Sequence, residues 1–429
     1  MRRLFLAAPL VLLASSVYAS GAEDPVVSVA LLLAVILVAA KVFGHAAEAL
    51  GQPSILGELV AGILLGIVGR TVAPSLDHVA HSPEMSLLAS LGVLLLLFEV
   101  GLESTVPQML SVGWPALRVA VTGVVLPTVL GVAVAMVLMP EASMYTKTFI
   151  GATLCATSVG ITARVLKDLG RSQSPEARLI LGAAVLDDVL GLIVLAVVSG
   201  AISAAATGEA LAASSMALIA LKALVFLGGS LWVGTRIAPS LFGVASKLRS
   251  PGALLATGLA ACFFLSWLSA LFGLAPIVGA FAAGLILEEV HYRDFVDRGE
   301  YALTHLVHPI VGFLAPVFFV QMGMLTDVSK LLDVSVAILG LGLTLAGIVG
   351  KVLAGYAVPR RPEPIDRLAV GLGMMPRGEV GLIFANIGLS LSVAGVAVVD
   401  ARTYSAIVMM VILTTLVTPP ALKWRFGAP

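Results

Sequence analysis

The chain has 429 residues, 59% of them hydrophobic and only 12% charged, with a mean hydropathy of +1.08, far from the roughly one-quarter charge of soluble domains. Twenty-five basic residues balance twenty-five acidic ones, which leaves no electrostatic case for nucleic acid or an acidic partner. Two cysteines, Cys155 and Cys262, both in apolar runs, supply neither a disulfide framework nor a metal site, and no motif calls for a cofactor.

Residues 1–22 carry Arg2 and Arg3, a short apolar stretch and small residues in a cleavage-site pattern, and read as a signal peptide, with an uncleaved anchor as the alternative. Thirteen apolar runs follow, centred near residues 34, 61, 94, 127, 157, 190, 226, 261, 282, 316, 345, 380 and 411. They predict an all-α polytopic membrane protein. With the mature N-terminus outside, sixteen basic residues fall on inner loops and flanks, against Arg70, Lys147, Lys330 and Arg402 on outer ones. That asymmetry is the positive-inside pattern and places the C-terminus inside.

GQPSILGELVAGILL from Gly51 aligns without gaps with GLAPIVGAFAAGLIL from Gly273, and the register holds from Gly101 to Gly323. The offset of 222 residues equals seven spans, an odd number, so the two halves are expected to be inverted in the membrane. The expected division is a first repeat over about 25–203, a linker helix over about 213–238 and a second repeat over about 251–422.

The sixth span, LGAAVLDDVLGLIVLAVV, holds Asp187 and Asp188 about ten residues beyond Arg178. A carboxylate at the bilayer centre costs at least ~2.5 kcal/mol. Lys351 lies nine residues before Arg360 in the eleventh span, so at 1.5 Å per residue all three groups sit roughly 13 to 15 Å from the inner face. Adjacent helical residues point about 100° apart, so one aspartate can meet Lys351 while the other faces a water-filled cavity. There it can hold a cation or a proton, and such groups couple proton exchange to a competing cation. A buried pair that merely fixes packing accounts for one aspartate and leaves the second unexplained.

Two spans carry candidate helix breaks. The fifth contains CATSVGITARVL, with Thr157, Ser158 and Gly160 together, and the twelfth contains GLGMMPRGEVGLIF, with Pro376, Gly378 and Gly381 around Arg377 and Glu379. Paired interrupted segments at corresponding places in two halves point to a transport site. Freed carbonyls and the Thr157 or Ser158 hydroxyls can help coordinate a small cation, and Arg377 and Glu379 can compensate the half-helix dipoles or each other. Other polar groups are less informative. Glu99, Glu103, Glu288 and Glu289 read as interfacial, Lys222 as a snorkelling side chain. The six histidines lie near span ends, the inner group being the better candidates for pH sensing.

GQPSILGELVAGILLG, LLFEVGLE, TSVGITARVLKDLG, GAAVLDDVLGLIVL, GKVLAG and MMPRGEVGLIFA together span nearly the whole mature chain. On these motifs the chain resembles the monovalent cation:proton antiporter-2 family, most closely its NapA type of bacterial sodium/proton antiporter. The resemblance implies thirteen helices with two crossed discontinuous ones, a dimerisation domain, a homodimer in the bacterial cytoplasmic membrane, and elevator-like alternating access. It also implies that Asp188 is the principal ion and proton carrier, that Asp187 pairs with Lys351, and that exchange is electrogenic. K⁺/H⁺ exchange is the rival within the family, and a sodium-coupled organic-anion symporter is the rival outside it. An intramembrane aspartyl protease is disfavoured, because its two aspartates must sit on separate helices to share a proton.

Overall fold

The computed structural model describes residues 25–103, 113–171, 174–206, 213–247, 250, 252–287, 295, 301–326, 333–359 and 365–427. The expected signal peptide, together with Glu288, Glu289 and His291, lies outside the described residues.

The helices are α1 (Pro25–Ala49), α2 (Ser54–Thr71), α3 (Pro74–Ala80), α4 (Pro83–Glu103), α5 (Gly113–Leu138), α6 (Met144–Thr153), α7 (Val159–Asp168), α8 (Pro175–Ala206), α9 (Ala213–Ala245), α10 (Ala253–Leu271), α11 (Pro276–Ile286), α12 (Leu303–Met324), α13 (Val334–Gly355), α14 (Arg367–Gly373), α15 (Glu379–Ser390) and α16 (Ala401–Phe426). All thirteen expected centres fall within a helix or at the break of an interrupted one. Among the described residues, nine helices are long and apolar enough to cross a membrane. The interrupted spans fall short of that length because each half has only 7 to 12 residues. Helix α9 runs on to Ala245, past the residue 238 where the expected linker ends.

Two elements were not anticipated. Helix α3 is seven residues long, below the reach of any hydropathy window. A two-stranded hairpin pairs β1 (Ser392–Val393) with β2 (Val396–Ala397) through Ala394 and Gly395, both at positive φ. That is the backbone a two-residue hairpin turn needs.

Two compact units divide the chain, Met1–Val93 with Ile310–Ala337, and Leu94–Pro309 with Ile338–Pro429. In the first, Leu32, Ile36, Leu76, Met85, Val320 and Met324 form a closed apolar core. Arg70 donates to the Met324 and Thr326 carbonyls at 3.0 Å each, satisfying acceptors that the end of α12 leaves open. In the second, Val119, Leu166, Ile180, Ala184, Val370 and Met374 gather α5, α7, α8 and α14 around one core.

Positions 222 residues apart are built alike. Gly51 and Gly273 both turn at positive φ, +70° and +76°, at the entry to α2 and α11. A Cβ on Gly57 would stand 2.1 Å from the Phe43 carbonyl oxygen, and one on Gly279 2.1 Å from that of Leu265. Gly62 lies against Val320 and Gly323, and Gly284 against Phe98 and Gly101. Each of these neighbours is the other's counterpart at the same offset, so the second helix of either half packs on the third helix of the other. Close approach of backbones is what small residues permit in a bilayer, where burial alone drives no association.

Candidate functional site

The site forms in the second unit, where two interrupted helices meet. After α6 the chain leaves helical geometry at Leu154 and resumes it at Val159; after α14 it does so at Met374 and resumes at Glu379. Each first half is capped by a side chain at its N-terminal start: Ser143 accepts from the Thr146 amide, and Asp366 accepts from the Leu368 and Ala369 amides. At the breaks no side-chain cap serves α15, whose N-cap is Gly378.

The two breaks satisfy each other instead. The Ser158 amide donates to the Pro376 carbonyl at 2.9 Å, the Thr157 hydroxyl to the Met374 carbonyl at 3.2 Å, and the Thr162 hydroxyl to the Gly373 carbonyl at 2.6 Å. Glycine is required at 378, because a Cβ there would stand 2.7 Å from Ser158 Oγ. Thr415 of α16 donates its hydroxyl to the Arg377 carbonyl. Polar backbone freed by a break is tolerated at membrane depth only when protein or a wet cavity takes it up.

Against this crossing lies the buried ion pair. Lys351 Nζ on α13 donates to Asp187 Oδ1 on α8 at 2.7 Å, and neither side chain has any exposed surface. The carboxylate that meets the lysine is therefore Asp187, and Asp188, on the next position of the helix, is half-buried. Gly123 of α5 closes the third side, where a Cβ would stand 3.3 Å from Lys351 Nζ and 3.5 Å from Asp187 Oδ1.

Arg377 is also fully buried, with Nη2 3.5 Å from the Gly347 carbonyl. Glu379 opens α15, and its side chain lies outside the described residues. Among the expected site residues the structure thus groups Thr157, Ser158, Asp187, Lys351 and Arg377. Thr162, Gly123 and Thr415 join them without having been singled out, since hydroxyls and glycines are common in any apolar span.

The profile of the family described as "Sodium/hydrogen exchanger, transmembrane" matches residues 10–426. The chain belongs to the sodium/hydrogen exchanger family. Within it, this exchanger-family chain is 38% identical to the high-affinity Na⁺/H⁺ antiporter NhaS3 of Synechocystis, over 93% of the chain and 90% of that protein. It is 35% identical to the Na⁺/H⁺-K⁺ antiporter GerN of Bacillus cereus, over 92% and 96%. Its fold is similar to that of the sodium proton antiporter MjNhaP1 of Methanocaldococcus jannaschii, with a TM-score of 0.69 at 16% identity, covering 94% of this chain and 98% of the other.

Elsewhere, Glu99, near the end of its span, is buried at 8% exposed, with His308 Nδ1 2.7 Å from its Oε1. Lys147, placed on an outer loop, is likewise buried, and folds back to donate to the Pro140 carbonyl at 2.7 Å. Lys222 is exposed, as a snorkelling side chain would be.

Proposed function

We propose that this family member exchanges a monovalent cation, Na⁺ or Li⁺ foremost, for protons by alternating access, with Asp188 as the carrier. The observation that carries the reading is the half-buried Asp188 beside a fully buried Asp187–Lys351 pair at the crossing of two interrupted helices. Asp188 binds a proton or a cation, and each displaces the other. The Thr157 hydroxyl has its proton committed to the Met374 carbonyl, which leaves its oxygen lone pairs for a cation, and Ser158 stands next to it. Lys351 holds Asp187 in place, and its own proton exchange would make the cycle electrogenic, more protons than cations moving per turn. Arg377 and Glu379 lie where α15 begins and balance the charge of the half-helix ends.

The two repeats, about 25–203 and 251–422, are inverted about the linker helix, the mature N-terminus faces out and the C-terminus in, and the protein works as a homodimer in the bacterial cytoplasmic membrane. The name of NhaS3 supports Na⁺ as the cation. The name of GerN, which adds K⁺, favours K⁺/H⁺ exchange as the second reading. Symport of an organic anion needs a polar recess. A cavity of about 850 Å³ among α9, α10 and α11 is lined mostly by apolar side chains such as Phe226, Val233, Phe264 and Ile286, with the hydroxyl residues Ser230 and Thr257 and no charged side chain among its lining residues.

The test is exchange in liposomes carrying a pH-sensitive dye and an imposed proton gradient. Na⁺ or Li⁺ should collapse the gradient, and Asp188→Asn should abolish the response while the protein remains folded. Retained exchange in that variant refutes the role of Asp188; collapse chiefly by K⁺ moves the protein to the second reading.

A further inference from the structure

Two sets of buried atoms near the crossing are left without hydrogen bonds. Among the described residues, Asp187 Oδ2 has no partner, and neither do Nε and Nη1 of Arg377. One is an acceptor carrying half of a carboxylate charge; the others are donors on a guanidinium that carries its charge at any physiological pH. Leaving both unsatisfied in the same low-dielectric site is costly, and such orphans in a native fold call for a reason.

Their placement supplies one. Arg377 Nη2 reaches the Gly347 carbonyl, and Lys351 is four residues further along the same helix α13. Residues four apart share a face, one turn or about 6 Å apart along the axis. The guanidinium therefore lies one helical turn from the stem of the lysine that holds Asp187. Among the described residues its one side-chain bond is the long 3.5 Å contact to Gly347.

We infer that Arg377 is the second counter-charge of Asp187, the donor to which its free Oδ2 turns whenever Lys351 is not holding it. The inference rests on the exchange reading above and adds to it a positioning residue. With a standing alternative partner, Asp187 need not be left as an isolated buried anion when Lys351 disengages during a cycle. A guanidinium suits this place better than an ammonium because it offers several donors in a fixed fork while keeping one on a backbone carbonyl. The bond made to Gly347 and the bond offered to Asp187 use different nitrogens, so the hand-over needs a rotation of the side chain and no unwinding of α15.

The test is a double-variant cycle read by thermal stability of the purified protein, which does not depend on transport. Arg377→Gln is introduced alone and with Lys351→Gln, and Arg377→Lys is made in both backgrounds. If Arg377 is the alternative partner, Arg377→Gln should lower the melting midpoint at least twofold more in the Lys351→Gln background than in the wild type, and Arg377→Lys should restore much of that difference. Equal losses in the two backgrounds overturn the inference and leave Arg377 a support of its half-helix. Should Arg377→Gln fail to fold, an experimental structure of Lys351→Gln decides the matter. Arg377 Nε or Nη1 within hydrogen-bond distance of Asp187 Oδ2 supports it, and an Asp187 Oδ2 with no Arg377 nitrogen in reach refutes it. Loss of cation response in Asp188→Asn liposomes tests the exchange reading separately, so the two can fail independently.

Discussion

Replacing Gly284 by alanine places a Cβ 2.3 Å from the Phe98 carbonyl oxygen, 2.6 Å from the Leu102 amide nitrogen and 2.7 Å from the Gly101 carbonyl carbon. All three atoms belong to the backbone of α4, so no change of rotamer relieves the clash. Restoring an ordinary contact of 3.4 Å requires α4 and α11 to part by about 1 Å at this point. Overpacking of this kind costs about 1–3 kcal/mol, of which the better helix propensity of alanine returns up to ~1 kcal/mol. The net expectation is a loss of about 2 kcal/mol, a fall of several degrees in the melting midpoint. Gly62→Ala should lose at least as much, because its Cβ would stand 2.0 Å from the Val320 carbonyl oxygen. Gly228→Ala is the control, with nothing within 4 Å of the added atom, and should hold or raise the midpoint. The measurement is thermal challenge of detergent-purified protein followed by fluorescence-detected gel filtration. A Gly284→Ala protein melting at or above Gly228→Ala would refute the close crossing and reduce the matched glycines to an echo in the sequence.

Breaking the central ion pair from one side has a different signature. Asp187→Asn leaves Lys351 buried with a neutral partner and should cost about 3–5 kcal/mol, seen as a lower melting midpoint. Thr162→Val removes the bond to the Gly373 carbonyl at the crossing and should cost about 1–3 kcal/mol while weakening apparent cation affinity in the liposome assay. Asp400→Ala deletes the acceptor of the Thr403 amide at the start of α16 and should cost about 1 kcal/mol with exchange intact. Ala394→Gly relieves a residue held at φ +51° in the hairpin and should raise stability by up to ~1 kcal/mol.

Much of the site was legible because charge inside an apolar run has to be accounted for. Asp187, Asp188 and Lys351 stand out on that ground alone, and their shared depth follows from counting residues to the nearest basic flank. Which aspartate meets the lysine was not legible from the residues, since spacing fixes the angle between the two side chains and says nothing of how α8 is rotated. The interruptions were legible from proline and glycine. The bonds that join them were not, because the Ser158 amide and the Pro376 carbonyl are backbone groups present at every position. Nor was the burial of Glu99 legible, because distance along the chain from a span end does not say whether a neighbouring helix covers that end. The repeat was the most informative signal, since an ungapped offset carries packing partners as well as sequence.

The three bonds across the crossing, from Ser158, Thr157 and Thr162 to Pro376, Met374 and Gly373, have a consequence for selectivity. They brace four half-helices at their loose ends, so the oxygens proposed to hold the ion would not contract or spread independently to suit whichever alkali ion enters. A braced ring of oxygens tells ions apart by misfit, and its stiffness sets how severely the wrong radius is penalised. Preference among Li⁺, Na⁺ and K⁺ would then be written in the backbone and hydroxyl bonds that join the two breaks, and loosening any one of them should blur the choice before it abolishes transport.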